Sequence, residues 1–198
     1  MTEAAKYNVI FVLGGPGAGK GTQCDKIIRK FGYVHLSAGD LLRAERKDKQ
    51  SELGEEIARH IEVGSIVPVA ITCALLQREM KKAKENDNKD SFLIDGFPRN
   101  KDNLDGWNKE MSEKVNLKTV LFFNCPEDIC VDRCIERGKT SGRSDDNRES
   151  LKKRLQTYTE CTMPIIEHYR SMNLVSEVCA KRSAEEVFED VEKIISGL

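Results

Sequence analysis

The chain carries almost no net charge. Its 32 Lys and Arg face 33 Asp and Glu, a formal −1 at neutral pH. A nucleic-acid partner would gain no bulk electrostatic attraction, and none is expected. No apolar run approaches the length of a membrane span, so a membrane partner is not expected either. Residues Met1 to Tyr7 include Glu3 and Lys6 and carry no apolar signal core, which points to a cytoplasmic protein, with the nucleus also open to it. No internal repeat and no low-complexity tract interrupts the chain. There is no C-x-x-C pair, and the seven cysteines are an odd number in a chain too long for a small disulfide scaffold, so reduced thiols are expected. Cys130 and Cys134 stand one helical turn apart, but no second Cys or His pair complements them, and packing is the better reading. Cys24 is expected to be a buried, inert thiol. His35, His60 and His168 have neither metal-ligand spacing nor a nucleophile partner and are expected to be structural or surface groups.

What is present is a globular composition. The 198 residues are 39% hydrophobic and 33% charged, most simply one domain, with small mobile insertions and a monomeric state expected. The strongest local signal is Gly14-Gly15-Pro16-Gly17-Ala18-Gly19-Lys20-Gly21-Thr22, which fits G-x-x-x-x-G-K. Glycines let consecutive backbone N–H groups turn towards one anion, and Lys20 adds a positive charge within reach of terminal phosphates. The context supports this reading. Asn8 to Leu13 is a short apolar run suited to a buried strand, and Cys24, Ile27, Ile28 and Phe31 are spaced for one helix face, with Gly32 as a stop. A helix starting at the glycine loop directs its dipole at the phosphate.

Strand and helix signals alternate along the rest of the chain. Strands are predicted at 34–37, 91–94, 119–123 and 174–179. Helices are predicted at about 40–48 and 52–63 (ended by Gly64), from Pro68 to about Lys84, around Leu104 and Trp107, after Pro126, from Asp146 with an interruption near Met163 caused by Pro164, and from Ser183. Residues 85–90 read as a solvated loop and 138–146 as a mobile, glycine-hinged one. Asp146 with Glu149, and Ser183 with Glu186, resemble capping boxes. Val187, Val191, Ile194 and Ile195 form the apolar stripe of the last helix. This alternation predicts an α/β fold, a parallel sheet with helices on both faces. Ligands of such sheets bind beyond the carboxyl ends of the strands. That edge gathers the glycine loop, Ser37-Ala38-Gly39 and Asp95-Gly96.

Arg43, Arg99, Arg137, Arg143 and Arg154 fall at strand-end loops or on elements beside them. A single arginine is usually a solvated surface charge, but several beside one phosphate site suggest a common task. The stiff turn Gly96-Phe97-Pro98 would aim Arg99 inwards. Arginine is always charged and grips phosphate with a two-pronged fork. Two phosphate-bearing substrates repel each other, and placing them in line requires several cations. An acceptor phosphate is already largely a dianion at neutral pH and needs no general base, so the pattern favours a phosphate acceptor over a hydroxyl. Asp95 ends an apolar strand, where a carboxylate can help to hold magnesium through water.

Together, residues 14–22, Leu36-Ser37-Ala38-Gly39-Asp40-Leu41-Leu42-Arg43, Gly64-Ser65-Ile66-Val67-Pro68, Asp95-Gly96-Phe97-Pro98-Arg99 and Arg137 to Asp146 resemble the nucleoside monophosphate kinases in order and spacing over nearly the whole chain. The resemblance implies a P-loop fold with a five-stranded parallel sheet, a monophosphate-binding module at 37–67 and a short lid at 136–146. It implies that Gly17, Ala18, Gly19, Lys20, Gly21 and Thr22 hold the phosphates of ATP, with Arg137 and the backbone near Arg182 also meeting that nucleotide. Arg43, Ser65, Ile66, Val67, Gly96, Phe97, Pro98, Arg99 and Asn103 would hold the monophosphate. Arg143 and Arg154 would meet the acceptor and the moving phosphoryl group, and Lys20, Arg99, Arg137, Arg143 and Arg154 would be the catalytic set. Mg2+ is the implied cofactor, held by Asp95 through water. Gly21 occupies the usual Ser/Thr position after the lysine, so a direct Thr22–magnesium bond is not expected. Asn103 stands where adenylate kinases typically carry Gln, and Ala38 replaces a common Thr. The resemblance is therefore to members that phosphorylate pyrimidine monophosphates: UMP or CMP, with dCMP a further expected acceptor. The alternatives are an adenylate kinase with AMP as acceptor and, from another class, a GTP-binding switch. The switch needs Asn-Lys-x-Asp, and both Asn108 to Met111 and Asn88 to Ser91 lack the final Asp.

Overall fold

The computed structural model describes residues 6–63, 65–143 and 146–198. The elements run β1 (Tyr7–Gly14), α1 (Lys20–Phe31), β2 (Val34–Ser37), α2 (Ala38–Lys47), α3 (Gly54–Val63), α4 (Val69–Asp87), β3 (Ser91–Asp95), α5 (Lys101–Met111) and β4 (Val115–Asn124). They continue with α6 (Glu127–Ser141), α7 (Arg148–Thr157), a π-helical turn (Tyr158–Thr162), α8 (Met163–Ser171), β5 (Val175–Cys179) and α9 (Ala184–Ser196). The five strands form one sheet in the order β2-β3-β1-β4-β5, and every neighbouring pair is parallel. β1 is central, so the loop that leaves its carboxyl end sits in the middle of the sheet edge.

The sheet's two faces sort the core. Val9, Phe11 and Leu13 point to one side, where Phe92, Ile94, Val120 and Phe122 join Trp107 of α5 and Ile166 and Tyr169 of α8. Ile10 and Val12 point to the other, with Leu93, Leu121 and Phe123 packed under Cys24 and Ile27 of α1 and Val187 and Val191 of α9. This is the period-2 alternation of a strand buried on both faces. A third cluster of Ile57, Val67, Ile71 and Leu75 ties α3 to α4 and fixes the module at one end of the sheet.

The expected alternation of strands and helices is present, with five local differences. The chain from 85 to 90 is not all loop: α4 continues to Asp87 and ends where Asn88 adopts φ 51° and donates its N–H to Ala83 and Lys84. Lysine and glutamate are good helix formers, which prolongs the element into a segment that reads as polar loop. Pro68 precedes the first turn of α4 as its cap rather than lying within it. β4 starts at Val115, four residues before the apolar run. α6 runs through Gly138 to Ser141, so that glycine is no hinge. A Cβ there would stand 2.7 Å from the Asp146 carbonyl, and close approach explains the glycine. Asp146 does not cap α7; Asn147 does, its side chain accepting from the Ser150 N–H at 3.0 Å. The helix interruption expected from Pro164 is the π-helical turn, and the Ser183–Glu186 capping box is formed in both directions. The stop expected at Gly64, the lid residues Ser144 and Asp145, and the terminal residues Met1 to Ala5 lie outside the described residues.

Trp107 is 2% exposed and makes edge-on contacts with Phe11 and Phe97 at centroid distances of 5.2 and 5.6 Å. Trp107→Ala should cost about 3–5 kcal/mol. Urea denaturation checks this; a loss under about 1 kcal/mol would show that α5 is not fastened to the sheet through this ring.

Candidate active site

At the carboxyl end of β1 the chain enters a glycine loop whose conformation other residues resist. Gly17 has φ +89°, and a Cβ there would come within 2.2 Å of the Cys130 carbonyl oxygen. Gly19 caps α1 with φ +86°, a left-handed geometry costly for residues with a Cβ. The loop therefore passes close against Cys130 of α6 before α1 begins at Lys20. Lys20 donates to the Gly14 and Gly15 carbonyls, both at 2.9 Å. Burial lowers the pKa of its ammonium, Asp95 opposes that shift, and Arg99 and Arg154 add to it. An anion entering here meets an under-compensated cation.

One cavity of about 610 Å3 opens beyond the sheet edge. Gly17 through Thr22 form its floor. Arg43, Ser65, Ile66 and Val67 come from the α2–α4 module. Asp95, Gly96, Phe97, Arg99 and Asn103 come from β3, the turn that follows it and the first turn of α5. Arg137, Arg143 and Arg154 face them from α6, the segment after it and α7, and Arg182 closes the end near β5. Every predicted site residue except Pro98 is on this wall. Pro98 is buried behind it, joined to Phe97 through a cis peptide bond.

Two carboxylates hold the arginines in place. Asp146 has a fully buried side chain. Arg137 grips it bidentately, both bonds 2.7 Å, and Arg154 adds a third at 3.1 Å. Burial works against Asp146 ionisation, but the Arg137 and Arg154 contacts outweigh it, and its pKa lies below the ordinary carboxylate value. Asp40 pairs with Arg43 from its own helix, and Arg143 reaches the same oxygen at 3.4 Å from across the cavity. For Asp40 too, burial is outweighed, here by hydrogen bonds involving Arg43 and Ser37, and the pKa falls. Burial lowers the Arg143 pKa, and Arg43 and Arg137 lower it further, as expected where cations crowd together.

The end of the cavity expected to take the monophosphate is built on Arg99 and Asn103. Arg99 donates Nε–H to the Gly96 carbonyl at 2.7 Å, and its carbonyl accepts from Thr162 at 2.8 Å, so the turn is anchored to the π-helical segment. Asn103 is 2% exposed. Its Oδ1 accepts the Arg99 N–H at 3.1 Å, while its Nδ2 is buried with no hydrogen-bond partner among the described residues. Asn103 thus keeps the two N–H donors of Nδ2 without a partner among the described residues, while one lone pair of Oδ1 is held by the Arg99 N–H.

Several site residues escape the sequence pattern. Arg133 lines the cavity and donates to the Ala180 carbonyl at 2.9 Å and the Arg182 carbonyl at 3.4 Å, pinning the segment expected near a nucleotide base. Its spacing four residues before Arg137 on one helix was the available signal. The Arg182 guanidinium turns away to pair with Asp190. His35 is no surface group: it lines the cavity, with Nε2 3.5 Å from the Asp95 carboxylate. Only the pairing of β2 with β3, Ser37 opposite Asp95, brings them together. Gln23 is buried on the same wall and donates to the Ala184 carbonyl. Cys130 and Cys134 behave as packing groups, with burial pushing Cys130 up to about 12 and raising Cys134, while burial, reinforced by Asp95, raises Cys24 well above its ordinary value.

A phosphate-cradling loop on a five-stranded parallel sheet, faced by arginines from opposite sides of one cavity, defines a P-loop phosphotransferase. The adenylate kinase family model matches residues 12–174, and the chain belongs to that family. Among curated proteins it is 61% identical to the UMP-CMP kinase of Rattus norvegicus over 187 residues, 94% of this chain and 95% of the relative. It is 59% identical to the UMP-CMP kinase of Bos taurus over 190 residues, 96% and 97% of the two chains, and 59% identical to that of Homo sapiens over 187 residues, 94% and 95%.

Replacing Asp146 should loosen the arginine clamp in a pH-dependent way. A depressed carboxylate pKa contributes stability that is complete above the unfolded value, about 3.9 for Asp, and is lost as pH falls through the lower folded value. Asp146→Asn should therefore cost roughly 1–3 kcal/mol near neutral pH, and its melting temperature should converge with the wild type on acidification. A constant gap between the two melting curves from neutral to acidic pH would contradict the role of this ion pair.

Proposed function

We infer that the chain transfers the γ-phosphoryl group of ATP to UMP or CMP, giving ADP and UDP or CDP. The observation that carries this is the convergence of Lys20, Arg43, Arg99, Arg137, Arg143 and Arg154 on one cavity with the free amide donor of Asn103 at its monophosphate end. The names of the curated relatives support the same acceptors. The glycine-loop N–H groups and the α1 dipole receive the ATP phosphates, with Lys20 beside them. Arg137 serves the donor side, where Arg133 holds the backbone carbonyls of Ala180 and Arg182. Arg43 and Arg99 grip the acceptor phosphate, and Arg143 and Arg154 lie between the two nucleotides. No side chain has to remove a proton, because the attacking oxygen belongs to a phosphate already largely ionised. The chain's contribution is alignment and charge compensation, which is what phosphoryl transfer demands.

Magnesium fits the residues present. The Asp95 Oδ1 is buried and lacks a hydrogen-bond partner among the described residues, so it offers an acceptor to a water of a hydrated cation at the edge of the phosphate site. Such an ion, bound with ATP, would neutralise charge on the β- and γ-phosphates. Residues 37–67 and 136–146 are proposed as the segments that close over the substrates and exclude water, in a monomeric, cytoplasmic enzyme.

Asn103 explains how one site takes two bases. Uracil and cytosine share a carbonyl acceptor at O2 but differ at position 4. The Nδ2 donors can serve that shared acceptor in either base. ADP release, coupled to an absorbance readout across AMP, CMP, UMP, dCMP and GMP, tests the reading: CMP and UMP should lead, and a preference for AMP would overturn it. Asn103→Ala should raise KM for both pyrimidines, and unaltered relative rates across the panel would remove Asn103 from recognition. Lys20→Met should lower turnover about 10²–10³-fold with the melting temperature preserved; undiminished turnover would take Lys20 out of the mechanism.

A further inference from the structure

Beside the phosphate loop, three side chains with no shared role in phosphoryl transfer meet at one point. Cys24 on α1, His35 on β2 and Asp95 at the end of β3 each present one potential ligand atom, and the three atoms lie within 4.8 Å of one another. They are brought there by three separate elements: β2 pairs with β3, and α1 packs across both strands. Two of the three are left wanting. His35 Nε2 and Asp95 Oδ1 are both buried without a hydrogen-bond partner among the described residues. Orphaned polar atoms standing side by side are rare in folded proteins and signal a missing water or ion. Both residues also line the cavity, which provides an entry path.

The donor types narrow the choice. Magnesium takes oxygen ligands and shuns sulfur, whereas thiolate, imidazole and carboxylate together suit zinc, with three protein ligands and a fourth position left open. We propose that Cys24, His35 and Asp95 form a three-ligand site for a borderline-soft divalent cation of the zinc class, separate from the magnesium that accompanies the nucleotide phosphates. Tetrahedral coordination would draw the ligand atoms in to about 3.3–3.8 Å. On binding, the Cys24 S–H bond is exchanged for a sulfur–metal bond, the proton leaves to solvent, and no electron is transferred. The filled site engages the carboxylate assigned above to the water shell of magnesium, so the cation inhibits phosphoryl transfer. Inhibition rests on that assignment; binding does not.

Reduced, nucleotide-free protein titrated with Co2+ tests the site directly. At one equivalent a thiolate-to-cobalt charge-transfer band should appear with the visible bands of a tetrahedral ion, and Zn2+ should displace both. Cys24→Ser should abolish the charge-transfer band, and His35→Asn should weaken Co2+ binding at least tenfold. The absence of a charge-transfer band at one equivalent, its survival in Cys24→Ser, or unchanged affinity in His35→Asn would each overturn the site. Should Cys24→Ser fail to fold, the His35→Asn affinity decides alone. Turnover of the wild type at saturating Mg–ATP and CMP should fall in step with the band. A filled site with undiminished turnover overturns the inhibition, while the acceptor panel on metal-free protein reports on the kinase reading independently.

Discussion

Like charges held in one hollow are the constraint around which this molecule is built. Among the described residues seven arginines and a buried lysine line a single cavity, and without counter-charge they would push the surrounding elements apart. Asp146 and Asp40 supply that counter-charge. Each carboxylate accepts from arginines on different segments: Asp146 joins Arg137 of α6 to Arg154 of α7, and Asp40 joins Arg43 of α2 to Arg143 beyond α6. The two differ in burial. The Asp146 side chain is inaccessible, while that of Asp40 is 55% exposed. Breaking a buried ion pair is strongly unfavourable, whereas an exposed one contributes little. The Asp146 clamp is therefore a fixed part of the scaffold, and the Asp40 bridge is a weak contact that an incoming phosphate can displace.

The sheet makes this crowding possible. With β1 in the centre and its neighbours parallel, all carboxyl ends lie along one edge, and every following loop starts there. The glycine loop, the β3 turn and the start of α2 need no long excursions to meet. Their rigidity comes from the two hydrophobic layers and from Trp107 packed against Phe11 and Phe97, immediately below the turn that carries Arg99.

The fold and most of the site were legible in the sequence for a physical reason. Strand periodicity and the glycine loop are local signals, and the arginines sit at strand ends where a parallel sheet must gather them. Asp146 was misread because its spacing to Glu149 matches a helix cap, but arginines nine residues before and eight residues after it compete for the same carboxylate and win. Gly138 was read as a hinge because glycine usually loosens helices, whereas here it admits a close backbone approach. His35, expected as a structural or surface group, carries no local signal of its place on the cavity wall. Its neighbours Cys24 and Asp95 are remote in sequence, and only strand pairing makes them adjacent.

Asn103 shows where residue chemistry and residue function part. The free amino acid offers both a donor and an acceptor, and from sequence both are available to a base. In the folded chain Oδ1 accepts the Arg99 N–H, which fixes the turn that carries the Arg99 guanidinium to the cavity. One side chain thus orients this arginine and leaves Nδ2 without a partner among the described residues. In the proposed reaction base recognition and phosphate gripping are thereby coupled through a single amide, because flipping it would present Nδ2 to the Arg99 N–H and set two donors face to face.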